Sequence, residues 1–176
     1  IGTLSADSNY YGKYVEVQTL TLEPVVEAVT YDAKAHVVDS FKTTQFGDVT
    51  VSGLSVYAEG TNAGSYDVAV EGTAVVTDAN GNDVTKFYNV VVADTDLVIA
   101  KKNATISSLP ATKEYDGTPL TNGGFLLQGF VGNEAPEVVV TGSLTDIGTA
   151  ANTFRVIYGE GINADNYNVT LVEGQL

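Results

Sequence analysis

The chain has 176 residues, 44% of them apolar and 9% aromatic, with a net charge of −14. This balance supplies a buried core and excludes a disordered chain, while the acidity argues against nucleic acid and anionic membrane surfaces, which want clustered Lys and Arg. Cysteine is absent, which excludes disulfides, thiol nucleophiles and thiolate metal sites.

No apolar run reaches the ~18 residues of a membrane-spanning helix, so membrane insertion is not expected. The start carries no basic-then-apolar leader pattern.

In chain order, residues 1–22 come first. Tyr11 and Leu20 are nine residues apart, a spacing that recurs at the end of both later segments. The segment reads as the tail strand of a preceding repeat or as an extra N-terminal strand. Residues 23–100 form a first β-repeat, opening at Thr30-Tyr31-Asp32-Ala33-Lys34. Val49 and Val51 alternate with Asp48, Thr50 and Ser52, and Tyr66, Val68 and Val70 share a face. This period of two means half-buried strands, taken here as antiparallel. Asn80-Gly81 stands between Val75-Val76 and Phe87-Tyr88, a hairpin signal. The repeat closes on Tyr88-Asn89-Val90 and Leu97.

Residues 101–176 form a second repeat. It opens at Lys113-Glu114-Tyr115-Asp116-Gly117-Thr118 and closes on Tyr167-Asn168-Val169 and Leu176. Phe154, Val156 and Tyr158 alternate with their neighbours, as do Tyr167, Val169 and Leu171. The only candidate helical turns are short, at 23–28 and 133–137. Tyr31 and Tyr115 are 84 residues apart, and each closing tyrosine precedes its leucine by nine. Val51-Ser52-Gly53 aligns with Val140-Thr141-Gly142, and residues 60–66 with 148–154. A rival register aligns residues 61–66 with 162–167. Both make the chain a duplication.

Seven or eight short strands per repeat, with turns every 8–12 residues, give an all-β chain of two tandem immunoglobulin-like β-sandwich domains. The runs ending in Tyr66 and Tyr167 resemble a tyrosine corner, which favours that version. The alternative is a β-grasp-like repeat, which needs a crossing helix that the pattern does not supply. The joint at Ala100-Lys101-Lys102-Asn103 has no flexible spacer, so a stiff connection is expected.

The stretch Thr112 to Asn122, with Val140-Thr141-Gly142-Ser143 and Gly161 to Val169, resembles the tandem MBG/YDG-type repeats of Gram-positive bacterial surface adhesins. The second repeat matches along its length. The first matches more loosely, with Ala33 in place of the glycine. The resemblance implies a secreted stalk or adhesion module on the bacterial cell surface or cell wall. Its partners would be neighbouring repeats of the same chain and, by the family's name, a host mucin glycan or extracellular protein.

Catalytic chemistry finds little footing. His36 is the one histidine and reads as a strand residue, and no Gly-x-Ser-x-Gly elbow is present. The 22 acidic residues make chance carboxylate pairs common, so no enzyme is expected. Asp78, Asn80, Asn82 and Asp83 place oxygen donors on one loop, which fits Ca2+ or a plain hairpin tip; Gly81 is two places early for an EF-hand. Asp94 and Asp96 are a weaker pair of the same kind. Lys34 and Asn89 are candidates for an intramolecular isopeptide bond, which needs apolar, desolvated surroundings. Leu109-Pro110-Ala111-Thr112 is similar to a sortase signal, but Lys113 replaces its glycine, so it reads as a loop. Tyr10, Tyr11, Tyr14 and Tyr57 are the tyrosines available to stack on sugars. The expected role is a non-catalytic spacer, with direct glycan or host-protein binding as the alternative.

Overall fold

The computed structural model describes residues 16–176. It is all-β: sixteen short strands, with no helix longer than a three-residue 3-10 turn among the described residues. In chain order the strands are β1 (Gln18–Leu22), β2 (Val29–Thr30), β3 (His36–Val38), β4 (Gln45–Phe46), β5 (Val49–Gly60), β6 (Gly64–Asp67), β7 (Ala69–Asp78), β8 (Tyr88–Val92) and β9 (Asp96–Ala100). They continue with β10 (Lys102–Ser108), β11 (Phe125–Gln128), β12 (Glu137–Val140), β13 (Ala151–Asn152), β14 (Phe154–Ile157), β15 (Tyr167–Val172) and β16 (Gly174–Gln175). The helical turns expected at 23–28 and 133–137 are absent. Short 3-10 turns stand instead at Thr85–Phe87 and Ala164–Asn166, immediately before each closing tyrosine.

The described residues divide into two compact units, and the division does not follow the repeat boundary read between 100 and 101. One unit holds residues 16–25, Asp39–Val56 and Ala69–Asp94; the other holds Val26–Val38, Tyr57–Val68 and Thr95–Leu176. The first unit is built on Leu20, Leu22, Val49, Val51 and Val76, with Phe41, Phe46, Leu54 and Tyr88 packed against them. Alternation aims these side chains inward: Val49 and Val51 are buried and Thr50 is not. Burying each such side chain contributes about 1.5–3 kcal/mol. Gly53 lies with φ at 81°, where a Cβ would stand 2.3 Å from the Thr73 carbonyl oxygen. Only glycine lets the two backbones approach so closely.

In the second unit Tyr31, Val38, Ala58, Leu97, Ile99, Ala104, Ile106, Val138, Tyr167 and Leu176 are buried. Strand β9 is central to a three-stranded sheet, parallel to β2 and antiparallel to β6. Strand β10 is central to another, antiparallel to β11 and parallel to β15. Alternation fades along β15: Tyr167 is buried, while Leu171, expected on the same inner face, is exposed. Val68 likewise falls between β6 and β7, so the face expected of Tyr66, Val68 and Val70 is broken.

The closing strands correct the expectation of purely antiparallel pairing. β8 runs parallel to β1 with Gln18 opposite Tyr88, and β15 runs parallel to β10 with Lys102 opposite Tyr167. The Asn80-Gly81 turn closes a tip through a Thr77–Asp83 bridge, but β8 leaves β7 to join β1. Gln18–Leu22 is therefore paired with the first repeat's own closing strand.

These pairings fix the repeat register. Gln18 and Lys102 are 84 residues apart. The pairing of His36 with Gly60 recurs, 84 residues on, as the bridge of Leu120 with Leu144. The pairing of Asp67 with Asp96 recurs as that of Ala151 with Gln175. Gly64 therefore corresponds to Gly148, and Thr61 to Thr145. This replaces both registers read from the sequence: Tyr66 pairs within β6–β9, whereas Phe154 pairs within β12–β14. Between Asp67 and Asp96 the first repeat spans five residues more than the second does between Ala151 and Gln175, and that excess misleads a linear alignment.

Candidate functional site

The Tyr-Asp-Gly/Ala turn is built alike in both repeats. The Asp116 carboxylate accepts from the Thr118 backbone N–H at 2.9 Å and the Thr118 hydroxyl at 2.7 Å, and from Lys113 Nζ at 2.8 Å. Asp32 accepts from the Lys34 backbone N–H at 3.0 Å and lies 2.9 Å from His36 Nε2. A short acidic side chain that captures the amide two residues on is an Asx turn. The captured amide draws the intervening residue into the left-handed region: φ is 77° at Gly117 and 63° at Ala33. The Lys113 hydrogen bond, then Thr118, holds Asp116 well below the usual carboxylate range. The His36 hydrogen bond, then the Lys34 N–H, also lowers Asp32.

The two motif tyrosines have different surroundings. Tyr31 is 4% exposed and donates its phenol proton to Glu134 Oε1 at 2.5 Å. Tyr167 donates to the other oxygen of the same carboxylate at 2.6 Å, and its phenol oxygen accepts from the Val131 N–H at 3.1 Å. The two rings meet edge to face, 5.4 Å apart at 81°, and Phe130 packs on Tyr167 at 5.0 Å. Beside them Asn166 is buried; its Oδ1 accepts from the Ala63 N–H at 2.8 Å and its Nδ2 donates to Asn62 Oδ1 at 2.9 Å. Tyr31, Asn62 and Ala63 come from the first repeat, and the groups that grip them come from the second. All lie within the one compact unit.

One carboxylate serving two buried phenols favours their neutral form. Burial, and secondarily Glu134, pushes Tyr31 up and pushes Tyr167 to about 12. Hydrogen bonds to a charged group contribute about 1.5–3 kcal/mol each, and an edge-to-face aromatic pair about 0.5–1.5 kcal/mol. The cluster is thus a strong fastening made of few residues.

In the second repeat Tyr115 is 63% exposed and Ile147 is 84% exposed. Between them lies a groove of about 380 Å3. One wall is residues 111–115, the other residues 144–149, and Gln175 and Leu176 line one end.

Asp78 turns its carboxylate onto its own loop, accepting from the Asn80 and Asn82 backbone N–H groups, each at 2.9 Å, and from Asn82 Nδ2. Asp83 caps Thr85 through its N–H and hydroxyl. The oxygen donors proposed for Ca2+ therefore close a hairpin tip. Asp96 accepts from the Ser65 hydroxyl at 2.7 Å. Among the described residues no three His, Cys, Asp or Glu side chains are grouped to hold a metal.

Lys34 and Asn89 fall in different units and both are exposed, so neither has the desolvated setting that an isopeptide bond requires. Tyr57 is exposed and bonded to Glu59, while Tyr10, Tyr11 and Tyr14 lie outside the described residues. Of the two expected tyrosine corners, Tyr66 donates to the Asn62 carbonyl at 2.9 Å; Tyr167 is committed to Glu134 instead.

Sequence reasoning missed Glu134, Asn166 and Asn152. Asn152 is fully buried, donating to the Leu109 carbonyl at 2.9 Å and the Asn122 carbonyl at 2.8 Å. Asn166-Tyr167 was visible as a pair, but nothing local marks the glutamate in Gly132-Asn133-Glu134 as their partner. No family model, curated protein or solved structure matches the chain.

Proposed function

We propose that the chain is a non-catalytic spacer from the stalk of a bacterial cell-surface adhesin, exported and displayed at the cell wall, with its repeats acting as immunoglobulin-like β-modules. The observation that carries this reading is the fastening at Glu134. A half-buried carboxylate, two buried phenols and a buried asparagine join chain from one repeat to chain from the next, where a flexible linker would serve a simple tether. Short strands closed by parallel first-to-last pairing, recurring at a fixed interval, fit a quasi-one-dimensional array. The partners are then neighbouring repeats of the same chain, and no cofactor is needed.

A second reading, direct adhesion to mucin glycans or a host protein, draws on the exposed rings of Tyr57 and Tyr115. Aromatic faces of this kind stack on sugars or dock on protein. A glycan and mucin array probed with the 176-residue chain separates the two. A blank array is expected; reproducible, saturable binding that Tyr57→Ala or Tyr115→Ala abolishes replaces the spacer reading.

A further inference from the structure

The groove beside Tyr115 has a filled counterpart in the same unit. In the first repeat β9 runs between β2 and β6, with Ile99 opposite Val29 on one side and Gly64 on the other. Tyr31 N–H donates to the Ala100 carbonyl at 2.9 Å. In the second repeat β16 enters the equivalent place. Ala151 faces Gln175, and Ala150 and Leu176 exchange both backbone hydrogen bonds. On the other side the Ala111 N–H donates to the Gln175 carbonyl at 3.0 Å. With Leu176 in the place of Leu97, the stretch equivalent to Val98–Ala100 would lie between residues 113–115 and 147–149, which are the two walls of the groove. Strand edges left without a ladder partner are templates for a further strand.

The surface around the groove carries the same correspondence. Tyr115, Asp146 and Ile147 occupy the positions of Tyr31, Asn62 and Ala63. In the first repeat all three are engaged by the second: Glu134 takes the phenol proton of buried Tyr31, and Asn166 bonds Asn62 and the Ala63 N–H. In the second they present an unburied ring, a carboxylate and an apolar side chain. Asp146 keeps the acceptor that Asn62 supplies, so an incoming amide finds a partner at either residue.

We propose that the Tyr115–Ile147 face is the docking site for a further β-module of this type continuing from Leu176. Its leading strand, apolar and turned inward at alternate positions as Leu97 and Ile99 are while Val98 is exposed, fills the groove. Its own carboxylate then receives the Tyr115 phenol, and its asparagine amide bonds Asp146 and the Ile147 N–H. The site recognises this module by strand addition together with two polar contacts, so each junction repeats the last. The proposal deepens the spacer reading and rests on it only for its biological setting.

The test appends a second copy of Val98–Leu176 directly after Leu176, reproducing the Leu97–Val98 junction. Amide exchange is read by NMR at Tyr115 and Ile147 in the parent and extended chains. Docking slows both amides by about tenfold or more, since each gains a hydrogen bond released only on local opening. With Glu134→Ala and Asn166→Ala in the appended copy alone, the Ile147 protection is lost. A shorter extension, Val98-Ile99-Ala100-Lys101 alone, still slows Tyr115 and needs no folded module. Unchanged exchange at Tyr115 in both the long and the short extension overturns the proposal. A blank or positive glycan array leaves this outcome untouched, so failure of the docking site and failure of the spacer reading are told apart.

Discussion

Tyr31 and Tyr115 open the same turn 84 residues apart, yet one is 4% exposed and the other 63%. The turns do not account for the difference. Both are Asx turns with a left-handed third residue. What differs is the chain that lies against them. Tyr31 has β9 beside it and Glu134 beyond it, whereas Tyr115 faces an open groove. A motif residue here takes its burial from the chain packed against it, so its energetic weight belongs to that packing rather than to the turn.

The strongest way to break this comparison is to remove each ring. Tyr31→Ala leaves a cavity against Tyr167 and removes the phenol from Glu134 Oε1, and should cost about 3–5 kcal/mol in chemical denaturation. Tyr115→Ala should stay within about 0.5 kcal/mol, as exposed substitutions do. Equal costs would make the turn, and not the junction, the source of stability. Next in size is Asn152→Ala, which empties a fully buried position and leaves the Leu109 and Asn122 carbonyls without their donor. A loss of about 2–4 kcal/mol is expected, and Asn152→Asp should not rescue it, because a carboxylate has no N–H to give.

Alkaline unfolding sharpens the contrast by chemistry rather than by mutation. Burial and Glu134 hold the Tyr31 and Tyr167 protons above the ordinary tyrosine value of 10.0, at about 12 for Tyr167. Between those values the folded chain retains protons that the unfolded chain has released, so stability is full below about pH 10 and falls as pH rises toward 12. Thermal midpoints measured across this range should drop steeply. Glu134→Gln should lessen the drop without removing it, because burial is the larger cause.

Smallest is the exchange of the turn residues. Ala33 sits at a φ of 63° where Gly117 sits at 77°. Ala33→Gly should gain about 0.5–1 kcal/mol, and Gly117→Ala should lose a similar amount. A loss on Ala33→Gly would show that the alanine methyl is packed rather than strained.

The strands around Val49–Val51 and Phe154–Val156 were legible because alternation reports burial directly, and the 84-residue recurrence of the strand pairings was foreshadowed by the spacing of Tyr31 and Tyr115. The parallel pairing of β1 with β8 and of β10 with β15 was not, since periodicity says which face is buried but not which strand lies alongside. The register around residues 60–66 was hidden because the first repeat offers glycines at 60 and 64 to match one at 148, and the five extra residues after Asp67 reward the wrong choice. Glu134 and Asn152 escaped notice for a further reason. Each acts on groups distant in sequence, and the acidic residues so abundant in this chain give no local sign of which one meets the two phenols.

Residue-resolved amide exchange on the unmodified 176-residue chain sets Tyr31 against Tyr115 most directly. The Tyr31 N–H, bonded to the Ala100 carbonyl at 2.9 Å, should exchange only through opening of the β2–β9 pairing, about a hundredfold or more slower than an open amide. The Tyr115 N–H should exchange nearly as an open amide. Comparable protection at the two would contradict the claim that the neighbouring chain, not the turn, makes the junction.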